Sequence, residues 1–402
     1  MIDYSKMKTE LQCFAIFQGL LQDPVVLGIQ ALLECLDRKA KGGASPEECA
    51  GAYAAFVAEL YRHADNFSDY LKDLVLEDVN PYIVNRLACD MSGSPMRESL
   101  IHELSVMEKL SGLTCGFWKE AVGYDGFLPS FHTTPYDYQA IYASRMKRLS
   151  TRGYGMFAKY HVFTVAEGKL VPVRYPDSQR LSQLSDYERE RGMVAQNTLA
   201  LLKGEPASNV LLYGDAGTGK SSTIKAIANE YRDQGLRLIE VKKNQLYQIP
   251  ELMEALSGNP LKFILFIDDL SFSSNDSDFA ALKAILEGSV SGKSQNLAVY
   301  ATSNRRHLVK ETLSGREGDE IHLNDTMQEL MSLSARFGLV ITYSKPDKDV
   351  YLSIVRHLAE EYGVEQEEAA LFLKAEAFAI RSGGRSPRVA KQFIEQVKTG
   401  IK

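Results

Sequence analysis

The run Gly214-Asp215-Ala216-Gly217-Thr218-Gly219-Lys220-Ser221 has the spacing G-x-x-x-x-G-K-[ST]. Glycines so spaced let backbone N–H groups close around a phosphate with no Cβ in the way. Lys220 is placed to reach the β- and γ-phosphates of a nucleoside triphosphate, and the Ser221 hydroxyl to ligate magnesium, with Ser222 the next residue along. The flanks support this reading. Asn209-Val210-Leu211-Leu212-Tyr213 reads as a short buried strand, and residues 222–231 as a helix opening directly after the loop. That helix would turn the positive end of its dipole toward the same phosphates. A glycine-rich turn matching by chance has no reason to bring both flanks.

A second group of chemically useful residues lies downstream. Phe263-Ile264-Leu265-Phe266-Ile267 is a continuous apolar run, as a central parallel strand requires, and it ends in Asp268-Asp269. Carboxylates at the carboxyl end of such a strand face the crevice where open α/β sheets bind ligands. Asp268 is expected to hold magnesium, directly or through water, and Asp269 to orient the attacking water or accept its proton. Leu297-Ala298-Val299-Tyr300-Ala301 reads as another strand, ending in Thr302-Ser303-Asn304. Asn304 is the polar side chain expected to reach the γ-phosphate or the water. Arg305, Arg306 and His307 read equally well as a solvated charge run or as part of a subunit contact.

The elements that must position these groups follow from the pattern of the chain. Residues 1–150 read as a mainly helical N-terminal domain. Apolar residues from Leu11 to Leu21 begin a helical face that resumes over 25–36 after Pro24. Ser45-Pro46-Glu47-Glu48 carries a serine N-cap, a proline at the first helical position and a glutamate that completes a capping box. Further helices are expected near 68–76, 96–110 and 136–149. Trp118, the single tryptophan, reads as packing rather than a ligand platform. Residues 151–175 read as a β-hairpin (157–165 and 169–173) and linker bridging the domains. From 176 to 345 strands alternate with helices, with strands at 210–213, 237–241, 263–267, 297–301 and 339–342, the signature of a parallel sheet covered on both faces. Residues 346–402 read as a helical lid, with helices over 347–362, 365–381 and 387–398.

The order of these motifs resembles an AAA+ ATPase, with Walker A at 214–221, Walker B at Asp268-Asp269 and sensor 1 at Asn304. Ser334-Ala335-Arg336-Phe337-Gly338-Leu339 is similar to the arginine-finger motif of DnaA-type initiators, in which the arginine reaches a neighbouring subunit's nucleotide. Gly384-Arg385-Ser386-Pro387-Arg388 resembles sensor 2, with Arg388 in the first turn of a helix as the γ-phosphate contact and Arg385 as the alternative. The phrases Asp268-Asp269-Leu270-Ser271-Phe272 and Thr302-Ser303-Asn304-Arg305-Arg306-His307 look closer still to an uncharacterised bacterial AAA+ family, domain of unknown function eight-fifteen, from about residue 176 onward. Two departures stand out. Asp269 stands where most AAA+ proteins carry glutamate, which implies slow turnover. Ser185 stands where this family usually has glycine, in the segment 184–188 that should flank adenine.

The resemblance implies an oligomeric ATPase using ATP and Mg2+, with Lys220, Asp268, Asp269, Asn304, Arg336 and Arg388 catalytic, residues 214–222 binding nucleotide, and Ser221 and Asp268 at the metal. What is acted on is left open. Remodelling of a protein or complex through the N-terminal domain is the expected role. A nucleotide-switched module or loader with little turnover, possibly on a DNA-associated complex, is the alternative. A small-molecule kinase would leave the sensors and the lid without a use. The segment Lys242-Lys243-Asn244-Gln245-Leu246-Tyr247-Gln248 lacks the aromatic-apolar-glycine loop of polypeptide-threading rings, although Tyr247 could serve.

Composition bounds the rest. The chain has 402 residues, 45% apolar and 24% charged, with a formal net charge of −6, so it is long enough for two or three cores; the charge gives no support for a broad polyanion-binding surface and leaves room for a local basic patch. Its five cysteines are scattered through the first third without C-x-x-C pairs, which points to reduced thiols and away from zinc. The polar first residues are unlike a signal peptide, and the early apolar run is too short to span a bilayer. A cytosolic protein is expected.

Overall fold

The computed structural model describes residues 3–88, 93–270, 281–283, 285, 286, 296–304 and 335–400. The chain divides into two compact units, Met1–Lys159 and Tyr160–Lys402. Among the described residues, no helix is long and apolar enough to cross a membrane.

The first unit is helical, as its apolar periodicity requires. Ser45 caps the helix Pro46–Tyr61 through the full capping box: Glu48 N–H donates to Ser45 Oγ at 3.3 Å, and Ser45 N–H to Glu48 Oε2 at 3.1 Å. That helix packs on Pro24–Ala40, where a Cβ added to Gly28 would lie 3.1 Å from Phe56 Cα. Phe56, Phe67 and Phe131 form an edge-to-face cluster in the core, and Trp118 is fully buried. The apolar face beginning at Leu11 is not one helix. Helix Tyr4–Gln12 stops, and a 3-10 turn follows at Gln18–Gln22. The intervening N–H groups of Ala15, Ile16 and Phe17 donate to the buried Glu103 carboxylate at 2.8 to 3.1 Å instead of to a helical ladder.

The second unit is built on a seven-stranded sheet, counted over the described residues: β1 Val162–Ala166, β2 Lys169–Pro172, β3 Val210–Gly214, β4 Leu236–Glu240, β5 Lys262–Ile267, β6 Leu297–Asn304 and β7 Leu339–Tyr343. The spatial order is β2-β1-β4-β5-β6-β3-β7, parallel except for the β1–β2 hairpin. This is the expected α/β class, a mostly parallel sheet followed by a group of helices at the carboxyl end of the chain. β5 and β6 stand between β3 and β4, its successor in sequence, so β3 marks the switch point where a crevice opens at the strands' carboxyl ends. Core strands β3, β4 and β5 are almost wholly buried, which accounts for the continuous apolar runs of β3 and β5, while β4 buries Arg237 between Leu236 and Leu238.

Two expectations need correction here. The hairpin is not a bridge between domains, because β1 pairs in parallel with β4 (Val162 opposite Leu238) and extends the sheet. Its first strand is also shorter than the alternation suggested: Met156–Lys159 is a helical turn closing the first unit, and β1 starts only at Val162. The lid helices are Lys348–Tyr362, Glu368–Arg381 and Pro387–Thr399, packed around Tyr351, Ile354, Ala375 and Phe393.

Candidate active site

The phosphate loop leaves β3 at Gly214, whose φ of 146° and neighbours exclude any side chain. A Cβ there would stand 2.0 Å from the Tyr343 carbonyl oxygen of β7. Gly217 and Gly219 also take positive φ, 78° and 88°, and Gly219 is the N-cap of the helix Lys220–Tyr231. The loop thus ends on a helix N-terminus, an anion-binding arrangement.

Lys220 is buried, and among the described residues its ammonium donates to Asp215 O at 2.7 Å, Asn304 Oδ1 at 2.9 Å and Gly214 O at 3.2 Å. Burial pulls its pKa below the ordinary lysine value, opposed by the charges of Asp215, Asp269 and Asp268. Asn304 passes the contact on: its amide nitrogen donates to Asp269 Oδ1 at 2.7 Å. Asp268 Oδ1 accepts from the Ser221 hydroxyl at 2.6 Å and from Thr302 Oγ1 at 2.6 Å. Asp269 takes a φ of 51°, unusual for a residue with a side chain, and its N–H donates to Thr302 Oγ1 at 2.9 Å. The carboxyl ends of β3, β5 and β6 therefore bring Lys220, Ser221, Asp268, Asp269 and Asn304 into one hydrogen-bonded group.

The lid reaches the loop from the other side. Ser386 caps the helix Pro387–Thr399 by accepting Val389 N–H at 3.2 Å, and Arg388 N–H donates to Gly217 O at 3.2 Å. A cleft of about 540 Å³ is lined by residues 216–223, Asp268, Asp269, Thr302, Asn304, Arg388 and, at its far end, Ser185, Asp186, Tyr187, Ile354 and Leu358. Its volume suits a nucleotide. Arg385 does not line this cleft. Its guanidinium forks onto Glu376, at 2.9 and 2.7 Å, and each partner favours the other's charged form.

Arg336 lies half-buried two residues before Gly338, away from the lining of this cleft. Arg305, Arg306 and His307 lie outside the described residues, as does Ser334. Asp215, Ala216, Thr218 and Ser222 are in or beside the loop, where Asp215 Oδ2 accepts from Lys345 N–H at 3.2 Å. The segment 184–188 does flank the cleft. Asp186 and Tyr187 both take left-handed backbones, Tyr187 stacks on Tyr343 with ring centroids 5.2 Å apart, and its hydroxyl donates to Ser344 O at 2.6 Å. Desolvation raises the Asp186 pKa, with Glu188 adding to it and Arg191 opposing. Reading the sequence alone passed over Thr302 and the Tyr187–Tyr343 stack. The one available signal for Thr302 was a hydroxyl at a strand tip two residues before Asn304.

Serine and aspartate oxygens paired beside a phosphate loop fit magnesium, a hard cation that commonly takes one or two protein oxygens and completes its shell with phosphate and water. Ser221 Oγ and Asp268 are the residues that would hold it.

A family model described as Protein of unknown function (DUF815) matches residues 157–401. Holliday junction branch migration complex subunit RuvB of Bdellovibrio bacteriovorus is 29% identical over 199 residues, covering 49% of this chain and 55% of that protein. The protein of the same name from Staphylococcus aureus is 27% identical over 245 residues, covering 56% and 68%. The chain thus spans little more than half of the first of these relatives. A solved structure of the Thermotoga maritima RuvB Holliday junction branch migration motor overlaps 55% of this chain and 64% of its own at 19% identity, with a TM-score of 0.37.

Proposed function

The chain belongs to the DUF815 family of proteins of unknown function, and on that premise we propose that it binds and hydrolyses Mg-ATP as a self-assembling AAA+ ATPase that remodels a protein or complex. The observation that carries the reading is the hydrogen-bonded group at the strand tips. Lys220, Asn304 and Asp269 form one chain of contacts, and Ser221 and Asp268 form the adjoining pair. Lys220 and the N–H groups of residues 214–222 bind the phosphates. Asp269 and Asn304 hold the attacking water, with Asp269 taking its proton. Magnesium, when bound to Ser221 and Asp268, supplies charge neutralisation of the phosphoryl oxygens. Arg388 contacts the γ-phosphate within the subunit, and Arg336 reaches the site of a neighbouring copy. Such positioning and charge stabilisation are the main sources of rate in phosphoryl transfer, an arginine finger alone contributing on the order of 10³–10⁵.

The second reading, a nucleotide-switched module with little turnover, is favoured by one observation. Asp269 has a short arm, and Asn304 already engages it at 2.7 Å. The relatives named for Holliday junctions raise a DNA-associated target, and the net charge of −6 argues against a broad DNA-binding face.

Steady-state ATP hydrolysis against protein concentration, for wild type, Lys220→Ala and Arg336→Ala, tests the reading. Specific activity should rise with concentration. Lys220→Ala should abolish nucleotide binding, and Arg336→Ala should lower turnover by on the order of 10³ or more while leaving binding intact. Activity independent of concentration, or unaffected by Arg336→Ala, refutes assembly with an arginine in trans. Tight ATP binding with negligible turnover at every concentration selects the switched module instead.

A further inference from the structure

We infer that Thr302 is a positioning residue that sets both acidic side chains of the site, a role resting on the ATPase reading above. The strand register places it. β6 is held between β3 and β5, with Leu212 opposite Thr302 on one side and Ile267 opposite Ala301 on the other, so Thr302 stands alongside Asp268, one step past the end of β5. Its backbone is tied to the same turn, since Leu270 N–H donates to Thr302 O at 2.7 Å. The side chain is 2% exposed, and its hydroxyl makes two contacts of opposite sense. It accepts the Asp269 N–H at 2.9 Å and donates to Asp268 Oδ1 at 2.6 Å.

A hydroxyl has a single proton to give. With Asp269 N–H pointing at the oxygen, that proton is directed to Asp268. Thr302 therefore fixes the rotation of the Asp268 carboxylate and, through the N–H, holds Asp269 in the left-handed backbone conformation (φ 51°) that brings its carboxylate to Asn304. Ser221 donates to the same Asp268 oxygen, also at 2.6 Å. A serine that turns to a metal gives up that bond, and Thr302 is then the hydroxyl that keeps Asp268 aimed. Valine has the same shape and no hydroxyl. It would leave the Asp269 N–H only its longer 3.1 Å contact to Asp268 Oδ1 and take from Asp268 the Thr302 hydroxyl, with the packing against β3 and β5 unchanged.

The test compares wild type, Thr302→Val and Thr302→Ser in the full chain. It uses ATP hydrolysis, binding of methylanthraniloyl-ATP across a magnesium titration, and thermal melting as a folding control. Thr302→Val should lower kcat and raise the half-saturating magnesium concentration, each by about 10- to 100-fold, the range found when residues orienting metal ligands are lost. Nucleotide affinity in EDTA should stay within about twofold of wild type, and Thr302→Ser, which restores the hydroxyl, should recover both properties. Unchanged kcat and magnesium dependence in Thr302→Val overturns the inference. So does equal loss in the valine and serine variants with parallel loss of melting temperature, which would make Thr302 a packing residue. A wild-type protein that binds Mg-nucleotide without turnover would sink the hydrolysis reading alone, because the magnesium titration still judges Thr302.

Discussion

Replacing Gly217 by alanine separates the loop's own conformation from its contact with the lid. Gly217 has a φ of 78°, and a new Cβ would meet Arg388 Cβ at 3.2 Å and Ser386 Oγ at 3.2 Å. Gly219 is the internal control: its φ is 88°, and nothing lies within 4 Å of its added Cβ. Both alanines carry the left-handed backbone cost, about 1–2 kcal/mol. For a unit of roughly 150–250 residues that corresponds to a melting shift of about 2–8 °C. Only Gly217→Ala must also push the first turn of the helix Pro387–Thr399 outward by a few tenths of an ångström, which strains the bond from Arg388 N–H to Gly217 O. If Arg388 reads the γ-phosphate, that displacement weakens ATP more than ADP. The expected added loss of ATP-over-ADP preference is about tenfold, or 1.4 kcal/mol. Differential scanning fluorimetry with equilibrium binding of both nucleotides measures the two quantities. Equal ATP/ADP ratios in the two variants would refute the link between lid and loop.

Two other perturbations follow from buried charge. Glu103→Ala should orphan the N–H groups of Ala15, Ile16 and Phe17 and destabilise the first unit by about 3–5 kcal/mol, whereas Glu103→Gln, which keeps one acceptor oxygen, should cost less. Circular dichroism melts resolve the order, and equal effects would refute this by showing that the one acceptor oxygen kept by glutamine rescues nothing. Asp186→Asn acts through pH. The folded pKa of Asp186 is raised above the ordinary aspartate value of 3.8, so its native-state advantage is complete below that value and is lost as pH rises through the folded pKa. The asparagine variant should therefore melt above wild type at neutral pH and lose that lead on acidification, and a lead independent of pH would exclude the mechanism.

What the sequence made legible was whatever local pattern determines. Residues 214–221, the apolar run into Asp268 and the Ser386-Pro387 start of the last helix each combine a short motif with an unambiguous neighbour, and each lies where the pattern placed it. What was missed depends on contacts far apart in the chain. Ala15, Ile16 and Phe17 have helical periodicity, and the carboxylate that takes their N–H groups comes from residue 103. The hairpin's place in the sheet depends on pairing Val162 with Leu238, which no local pattern encodes. Thr302 reads as an ordinary β-former until the register sets it beside Asp268. The pairing of Arg385 with Glu376 likewise depends on the preceding helix and is not encoded locally.

The hairpin also bears on how this molecule keeps to itself. β4 is buried at four of its five positions, Arg237 among them, and so is not built to border the sheet. β1 covers it, and β2 then forms the outer rim, short and carrying the exposed Lys169 and Pro172, which has no N–H to offer. Such a rim resists recruitment of further strands. A fragment begun at residue 176, where the strand–helix alternation starts, would strip off both strands and present the backbone of Leu236–Glu240 to any other extended chain. The motif-bearing core and the piece whose sheet has a guarded rim therefore begin at different residues, and the second begins before β1.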